Sequence, residues 1–124
     1  YGAKYGDDKN EFLALADLFV FPTYYHNECF PLVLLEAMQQ KITCIASDEG
    51  GIPNIIDDGN TGYIVPKKDS NAIADKIQYL YNHPEVNKQM GENGYRKYNE
   101  MFTLNIFERR FTDILFEVVN NNKE

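Results

Sequence analysis

Two short, mostly apolar runs constrain this chain more than any other feature. Residues 17–21 read Asp-Leu-Phe-Val-Phe and stop at Pro22; residues 42–46 read Ile-Thr-Cys-Ile-Ala. Neither run alternates polar with apolar, so neither has a face meant for water. That is the pattern of strands buried on both sides, as in a parallel sheet covered by helices. Parallel neighbours cannot be joined by a tight hairpin; they need a crossover, usually a helix. The segment between the runs supplies one. Pro31 suits the first turn of a helix, and Leu32, Val33, Leu35, Glu36, Ala37 and Met38 continue it to about Gln40. Strand, helix and strand form a right-handed βαβ unit.

The rest of the chain extends this unit. Residues 10–16 are predicted as a short helix capped by Asp8 or Asn10, with Phe12, Leu13 and Ala16 inward. Residues 52–56 read as one helical turn, and 57–60 as a reverse turn. Residues 62–65, closed by Pro66, read as a third and edge strand. Beyond them the pattern is helical. Ser70 is expected to cap a helix carrying Ile73, Ile77, Leu80 and Tyr81, and Pro84 to end it and start another. Residues 97–101 read as a connection. Thr103 is expected to cap a last helix with an apolar stripe of Ile106, Phe107, Phe111, Ile114, Leu115 and Val118, read as core packing or as a face toward another half of a longer enzyme. Three strands make a thin sheet, with an edge open to pairing. The fold class expected is α/β: a truncated Rossmann-like domain, with a short parallel sheet, flanking helices and a helical C-terminal half.

Composition closes several alternatives. With 124 residues, 44% of them hydrophobic, the chain can form one core but not two domains. It is not a disordered polymer. No apolar run approaches the roughly 20 residues that span a bilayer, and residues 1–5 show no signal-peptide pattern. A net charge of −7 argues against nucleic acid, which requires a positive footprint. Cys29 and Cys44 lie in apolar surroundings and are expected to be buried, reduced thiols. They form no metal-ligand pattern with His26 or His83. The chain lacks an initiating Met, so it is expected to be a piece of something longer.

The chemistry is concentrated in residues 28–38. Glu28 stands in the loop before a helix and Glu36 two turns inside it. A loop after a parallel strand is where open α/β sheets bind ligands. A helix start offers unpaired N–H groups and a positive dipole end, a natural seat for a diphosphate. Carboxylates there can accept hydrogen bonds from ribose or sugar hydroxyls. From spacing alone, two glutamates eight residues apart are more simply read as ordinary acidic residues in the first half of a helix.

Four motifs in order add to this: residues 16–23, 28–38, 46–53 (Ala-Ser-Asp-Glu-Gly-Gly-Ile-Pro) and 58–66 (Asp-Gly-Asn-Thr-Gly-Tyr-Ile-Val-Pro). Together they resemble the C-terminal, nucleotide-sugar-binding domain of GT-B glycosyltransferases of retaining family 4, the group 1 glycosyltransferases. The resemblance runs over about residues 11–102. It implies that Glu28 sits by the donor sugar and helps stabilise an oxocarbenium-like transition state. It implies further that Glu36 binds the ribose hydroxyls and that the backbone at Phe30, Leu32 and Val33 holds the diphosphate. Gly50 and Gly51, lacking Cβ atoms, would let backbone approach the cleft. Thr23, in the family's Pro-Ser position, and His26, beside Glu28, are further candidates. Tyr24 and Tyr25 are read as cleft-lining or scaffold residues, and Lys67-Lys68 as a solvated pair. Arg109-Arg110 is too small a cluster for a lipid site.

The departures are specific. Pro31 replaces a usual Gly and removes one N–H donor. Cys29 replaces Gly or Ser, and Asn54 a frequent Glu. The family's Arg and Lys for the diphosphate, and its N-terminal acceptor domain, have no counterpart in these residues, and Lys4 and Lys9 are weak substitutes. Residues 1–124 are therefore expected to be part of a donor domain, inactive alone. The expected partners are a nucleotide diphosphate sugar and, through the missing domain, a glycan or lipid-linked glycan acceptor. No metal or other cofactor is expected. The implied setting is cell-surface polysaccharide synthesis in the cytoplasm, with peripheral association at the inner face of the membrane. The alternative is a non-catalytic nucleotide-binding or interaction module, such as half of a split transferase.

Overall fold

The two apolar runs form neighbouring parallel strands, as their pattern demands. The computed structural model describes residues 2–121; Tyr1, where the N-terminal reading begins, lies outside them. Strands β1 (Leu18–Phe21), β2 (Thr43–Ser47) and β3 (Gly62–Val65) make one parallel sheet in the order β1-β2-β3. Phe19 lies opposite Cys44, and Cys44 opposite Gly62. All five residues of β2 are buried, whereas β1 is only half-buried. Helices α1 (Gly6–Ala14), α2 (Leu32–Gln39), α3 (Ile52–Ile55), α4 (Ser70–Asn82), α5 (Pro84–Met101) and α6 (Leu104–Asn121) complete the described chain.

Each face of the sheet carries its own core. Cys44 and Ala46 of β2, with Phe19, Phe21 and Ile64, pack under Leu34, Ala37 and Met38 of α2 and Ile52 and Ile55 of α3. Ile45, with Leu18, Tyr63 and Val65, packs under Leu80 of α4 and Met90 of α5. The alternation of odd and even positions along β2 is what separates the two layers. The first core fixes α2, and hence the candidate site, against the sheet.

Several local expectations are corrected. Helix α1 starts at Gly6 with Tyr5 as an N-cap lacking a side-chain bond, so neither Asp8 nor Asn10 caps it. Asp7 and Asp8 instead lie in its first turn, where the helix dipole favours acids. Pro31 is the N-cap of α2 rather than its first residue. Asp69, not Ser70, caps α4; its Oδ1 accepts from the Ala72 N–H at 2.9 Å. Residues 97–101 are no connection: α5 runs unbroken through them to Met101. Its buried face is Met90, Gly91 and Gly94, and two glycines leave little apolar periodicity to read. The stripe on α6 is not core, for none of its residues is buried.

Helix α2 ends in a Schellman arrangement. The Ile42 N–H donates to the Ala37 carbonyl and the Lys41 N–H to the Met38 carbonyl, both at 3.0 Å. Lys41 takes the left-handed conformation (φ 60°) that glycine usually supplies there. Its ammonium recovers contacts on α5, bonding Glu92 at 3.1 Å and lying 5.1 Å over the Tyr95 ring.

Cys44 is buried and Cys29 exposed, and both are free thiols. The expectation of two buried cysteines therefore fails for Cys29, which lies in a loop. Burial pushes the Cys44 thiol from 9.0 up to about 12. In the unfolded chain it ionises near its ordinary value, so the native protein holds the extra proton between these limits. Stability is therefore fully present below about pH 9 and lost as pH rises toward 12, at about 1.4 kcal/mol per pH unit. Cys44→Ala is expected to flatten that alkaline slope in denaturant titrations at pH 8.5 and 10. Native-state labelling with a thiol reagent should modify Cys29 at once and Cys44 only on unfolding.

Candidate functional site

The loops that follow the parallel strands meet at the carboxyl edge of the sheet. The contact is unusually close. The Gly51 N–H donates to the Cys29 carbonyl at 2.8 Å. A Cβ on Gly50 would stand 1.5 Å from the Glu28 carbonyl oxygen, and one on Gly51 2.2 Å from that of Cys29. Gly50 also has φ 51°, left-handed backbone that other residues rarely adopt. The glycines thus let the turn after β2 press on the backbone of residues 28–29, rather than opening space toward a ligand. Glu28 is held half-buried just before α2.

Helix α2 starts with no side-chain cap. Pro31 is buried and offers no N–H, and its carbonyl accepts from Leu34 at 3.1 Å. The N–H groups of Leu32 and Val33 precede that bond and cannot pair within the helix. Phe30 and Leu32 are exposed beside them. This end of α2 has the unpaired donors and positive dipole that an anion requires.

Glu36 lies about one turn past Leu32, not two turns inside the helix as expected, because α2 starts only at Leu32. Lys9 of α1 donates to its Oε1, with both side chains about one-third exposed (34% and 33%). The ion pair leaves the second carboxylate oxygen open to other donors. Lys9 therefore faces Glu36 and not the helix start. Nothing near either residue announced this contact, which joins positions 27 apart.

The two further candidates, Thr23 and His26, both contact Tyr25 of the same loop. Thr23 Oγ1 accepts from the Tyr25 N–H at 3.2 Å, a local turn. His26 is exposed and rests against the Tyr25 ring, 5.6 Å between centroids. Tyr24 lies under the Lys68 ammonium at 5.0 Å. Lys67 bonds Glu49 at 3.0 Å. Both lysines are exposed, as a solvated pair should be, and each also reaches a neighbour of the loop after β3. Among the described residues no cluster of three or more His, Cys, Asp or Glu side chains is placed to hold a metal ion. No described helix is long and apolar enough to cross a membrane.

A concavity of about 680 Å³ lies beside Glu36, between α2, the end of α5, and α6. Its walls are mostly apolar: Leu35, Met101, Phe107 and Phe111 among them, with Glu36 and Arg110 as the charged members. Glu28, Gly50 and Gly51 do not line it.

Comparison with known proteins agrees with this geometry. The model of the family described as glycosyl transferases group 1 matches residues 1–97. N-acetyl-alpha-D-glucosaminyl L-malate synthase of Bacillus anthracis is 33% identical over 117 residues, 94% of this chain but 30% of the synthase. The C-terminal domain of LpcC, a glycosyl transferase group 1 family protein of Francisella tularensis, superimposes with TM-score 0.74 at 30% identity, covering 84% of this chain and 53% of that one. Anabaena HepE in complex with UDP-glucose shares the fold (TM-score 0.83) at 18% identity, over 91% of this chain and 31% of its own. The chain thus spans about 30% of the length of the synthase it matches. The three-stranded parallel sheet with its flanking helices is that of a GT-B C-terminal, Rossmann-like domain, and the chain belongs to the glycosyl transferases group 1 family.

Proposed function

We propose that these residues are the donor-binding part of a retaining glycosyltransferase that moves a sugar from a nucleoside diphosphate to an acceptor hydroxyl. The observation that carries the reading is the seating of residues 28–29 on the Gly50–Gly51 turn. It fixes the Glu28 backbone at the uncapped end of α2, one helix stretch from Glu36. A diphosphate on the Leu32 and Val33 N–H groups would put a ribose toward Glu36 and a sugar toward Glu28. Glu28 would then stabilise positive charge developing at the anomeric carbon, and the free oxygen of Glu36 would accept from ribose hydroxyls. Charge on the departing diphosphate is the costliest part of such a reaction. The backbone donors and helix dipole meet part of it, with no resident metal. The cations that meet the rest are assigned to the family's segment preceding these residues, and the surface for the acceptor to an N-terminal domain of the parent enzyme. The acceptor is placed among glycans or lipid-linked glycans of cell-surface polysaccharide synthesis, a cytoplasmic reaction near the membrane. UDP-glucose bound to HepE supports the donor class, and the synthase relative supports sugar transfer.

The test is a titration of uridine and guanosine diphosphates against the chain and against a version extended upstream. One of the two nucleotides is expected to bind, and Glu36→Ala to weaken it by about tenfold or more, the loss of hydrogen bonds to a charged group. Absence of binding in both forms overturns the donor-site reading. Turnover of a nucleotide sugar by the extended form separates an enzyme from a non-catalytic module.

A further inference from the structure

Lys97 of α5 is drawn inward at a point well removed from the two glutamates. Its side chain is 13% exposed, and its Nζ meets the Asp57 carboxylate at 2.7 Å. The same Nζ donates to the Asn54 carbonyl at 3.3 Å, across 43 positions. An ammonium withdrawn this far from water needs such partners. The Asn54 carbonyl needs one as well. It belongs to α3, a helix of only four residues, whose closing carbonyls find no partner within the helix. A lysine at such an end satisfies the carbonyl and suits the dipole.

Two contact routes lead from Lys97 to the loop that carries Glu28. The first runs through α3. Its N-cap is Gly51, whose N–H donates to the Cys29 carbonyl at 2.8 Å. Ile52 and Ile55 are fully buried and set the depth of α3 in the core. Lys97 ties the far end to α5, so a shift at Asn54 is passed along this single turn to Gly51 and residues 28–29. The second route runs through rings. Lys97 Nζ lies 5.9 Å over the Phe102 ring, and that ring meets Phe30 edge-on, 5.9 Å between centroids. A Cβ on Gly51 would stand 3.3 Å from Phe30 Cδ2, so Phe30 covers the same glycine. Both routes therefore end on residues 28–30. The body of α2 is held differently, by Leu34, Ala37 and Met38 in the core. We propose that Lys97 is a positioning residue of the donor site, setting the Glu28 backbone from a distance by holding α3 and Phe102. The inference rests on the donor-site reading of Glu28.

Lys97→Met keeps a long, unbranched side chain on the helix and removes the ammonium. In the 124-residue chain it is expected to shift the amide resonances of residues 28–30 and Gly51, to leave those of α4 in place, and to retain cooperative melting. In the form extended upstream, kcat with a nucleotide sugar should fall about tenfold, because Glu28 acts on charge that develops only in the transition state. KM for the donor and affinity for the nucleoside diphosphate should stay within about twofold, because the N–H groups of α2 do not move. Lys97→Arg, which keeps the charge and the donors, should restore the resonances and most of kcat. Unmoved resonances at residues 28–30, a rise in KM with kcat unchanged, or no rescue by arginine would each overturn the proposal. The parent chain separates the two readings. If neither uridine nor guanosine diphosphate binds it in either form, the donor site is lost, and the resonances of residues 28–30 still decide whether Lys97 sets that loop.

Discussion

Gly50→Ala is expected to destabilise the chain by about 3–5 kcal/mol and to lower its Tm by about 10–15 °C, with thermal melts as the check. Two physical effects add. Left-handed backbone at φ 51° costs an L-residue about 1–2 kcal/mol. The new Cβ costs more, because it would stand 1.5 Å from the Glu28 carbonyl oxygen and 2.8 Å from its carbon. The obstacle is backbone, so no rotamer change relieves it; residues 28–29 or the turn must move. Movement breaks the Gly51 to Cys29 bond and carries Glu28 with it. The amide resonances of residues 28–32 should therefore shift in a variant that still folds. Unaltered stability and an unaltered spectrum would show that the two loops do not press on each other as described.

Two glycines on one helix should respond with opposite signs. Gly91 and Gly94 both lie on the buried face of α5, where alanine is normally favoured by about 1 kcal/mol. At Gly91 a Cβ would come within 2.0 Å of the Lys41 carbonyl oxygen and 2.9 Å of its carbon. Lys41 cannot yield easily, because the Schellman bonds at the end of α2 hold it. Gly91→Ala is expected to cost about 2–4 kcal/mol net, as a backbone collision in a packed interface does. At Gly94 the nearest atoms are Met38 Cγ at 3.5 Å and the Thr61 carbonyl oxygen at 3.6 Å, which is ordinary contact. Gly94→Ala should stabilise the chain by about 0.5–1 kcal/mol. Urea titrations of the two variants against the parent decide the matter. Equal shifts in one direction would remove the close approach of α5 to the Lys41 turn.

These effects mark the border of what residue patterns reveal. The parallel strands, the crossover helix and the third edge strand are all legible, because burial on two faces writes itself as unbroken apolar runs. The last turns of α5 are not, since its inward face is made of glycines, which carry no hydropathy signal. Glu28 and Glu36 are visible as a spacing, and the motif order makes the spacing specific. Their surroundings are hidden, because Lys9 reaches Glu36 across 27 positions and the glycine turn reaches residues 28–29 across about 20. Periodicity on α6 is plain, but period alone names an apolar face without saying what covers it. Cys29 shows the same limit in reverse: apolar neighbours in sequence did not bury a loop residue.

The junction of Gly51 with Cys29 divides the long loop after β1 into two regimes of motion. Its final stretch is bonded to the turn after β2, which is itself rooted in the fully buried central strand. An amide engaged in this way opens only with the surrounding structure, so the Gly51 N–H should exchange with solvent slowly. Residues 24–27 are exposed and should exchange fast. Glu28 is then carried by the stiff end and the aromatic tip by the loose one. If the proposed donor site closes on its ligand, the tip is the part of this loop free to move, while Glu28 stays where the sheet has put it.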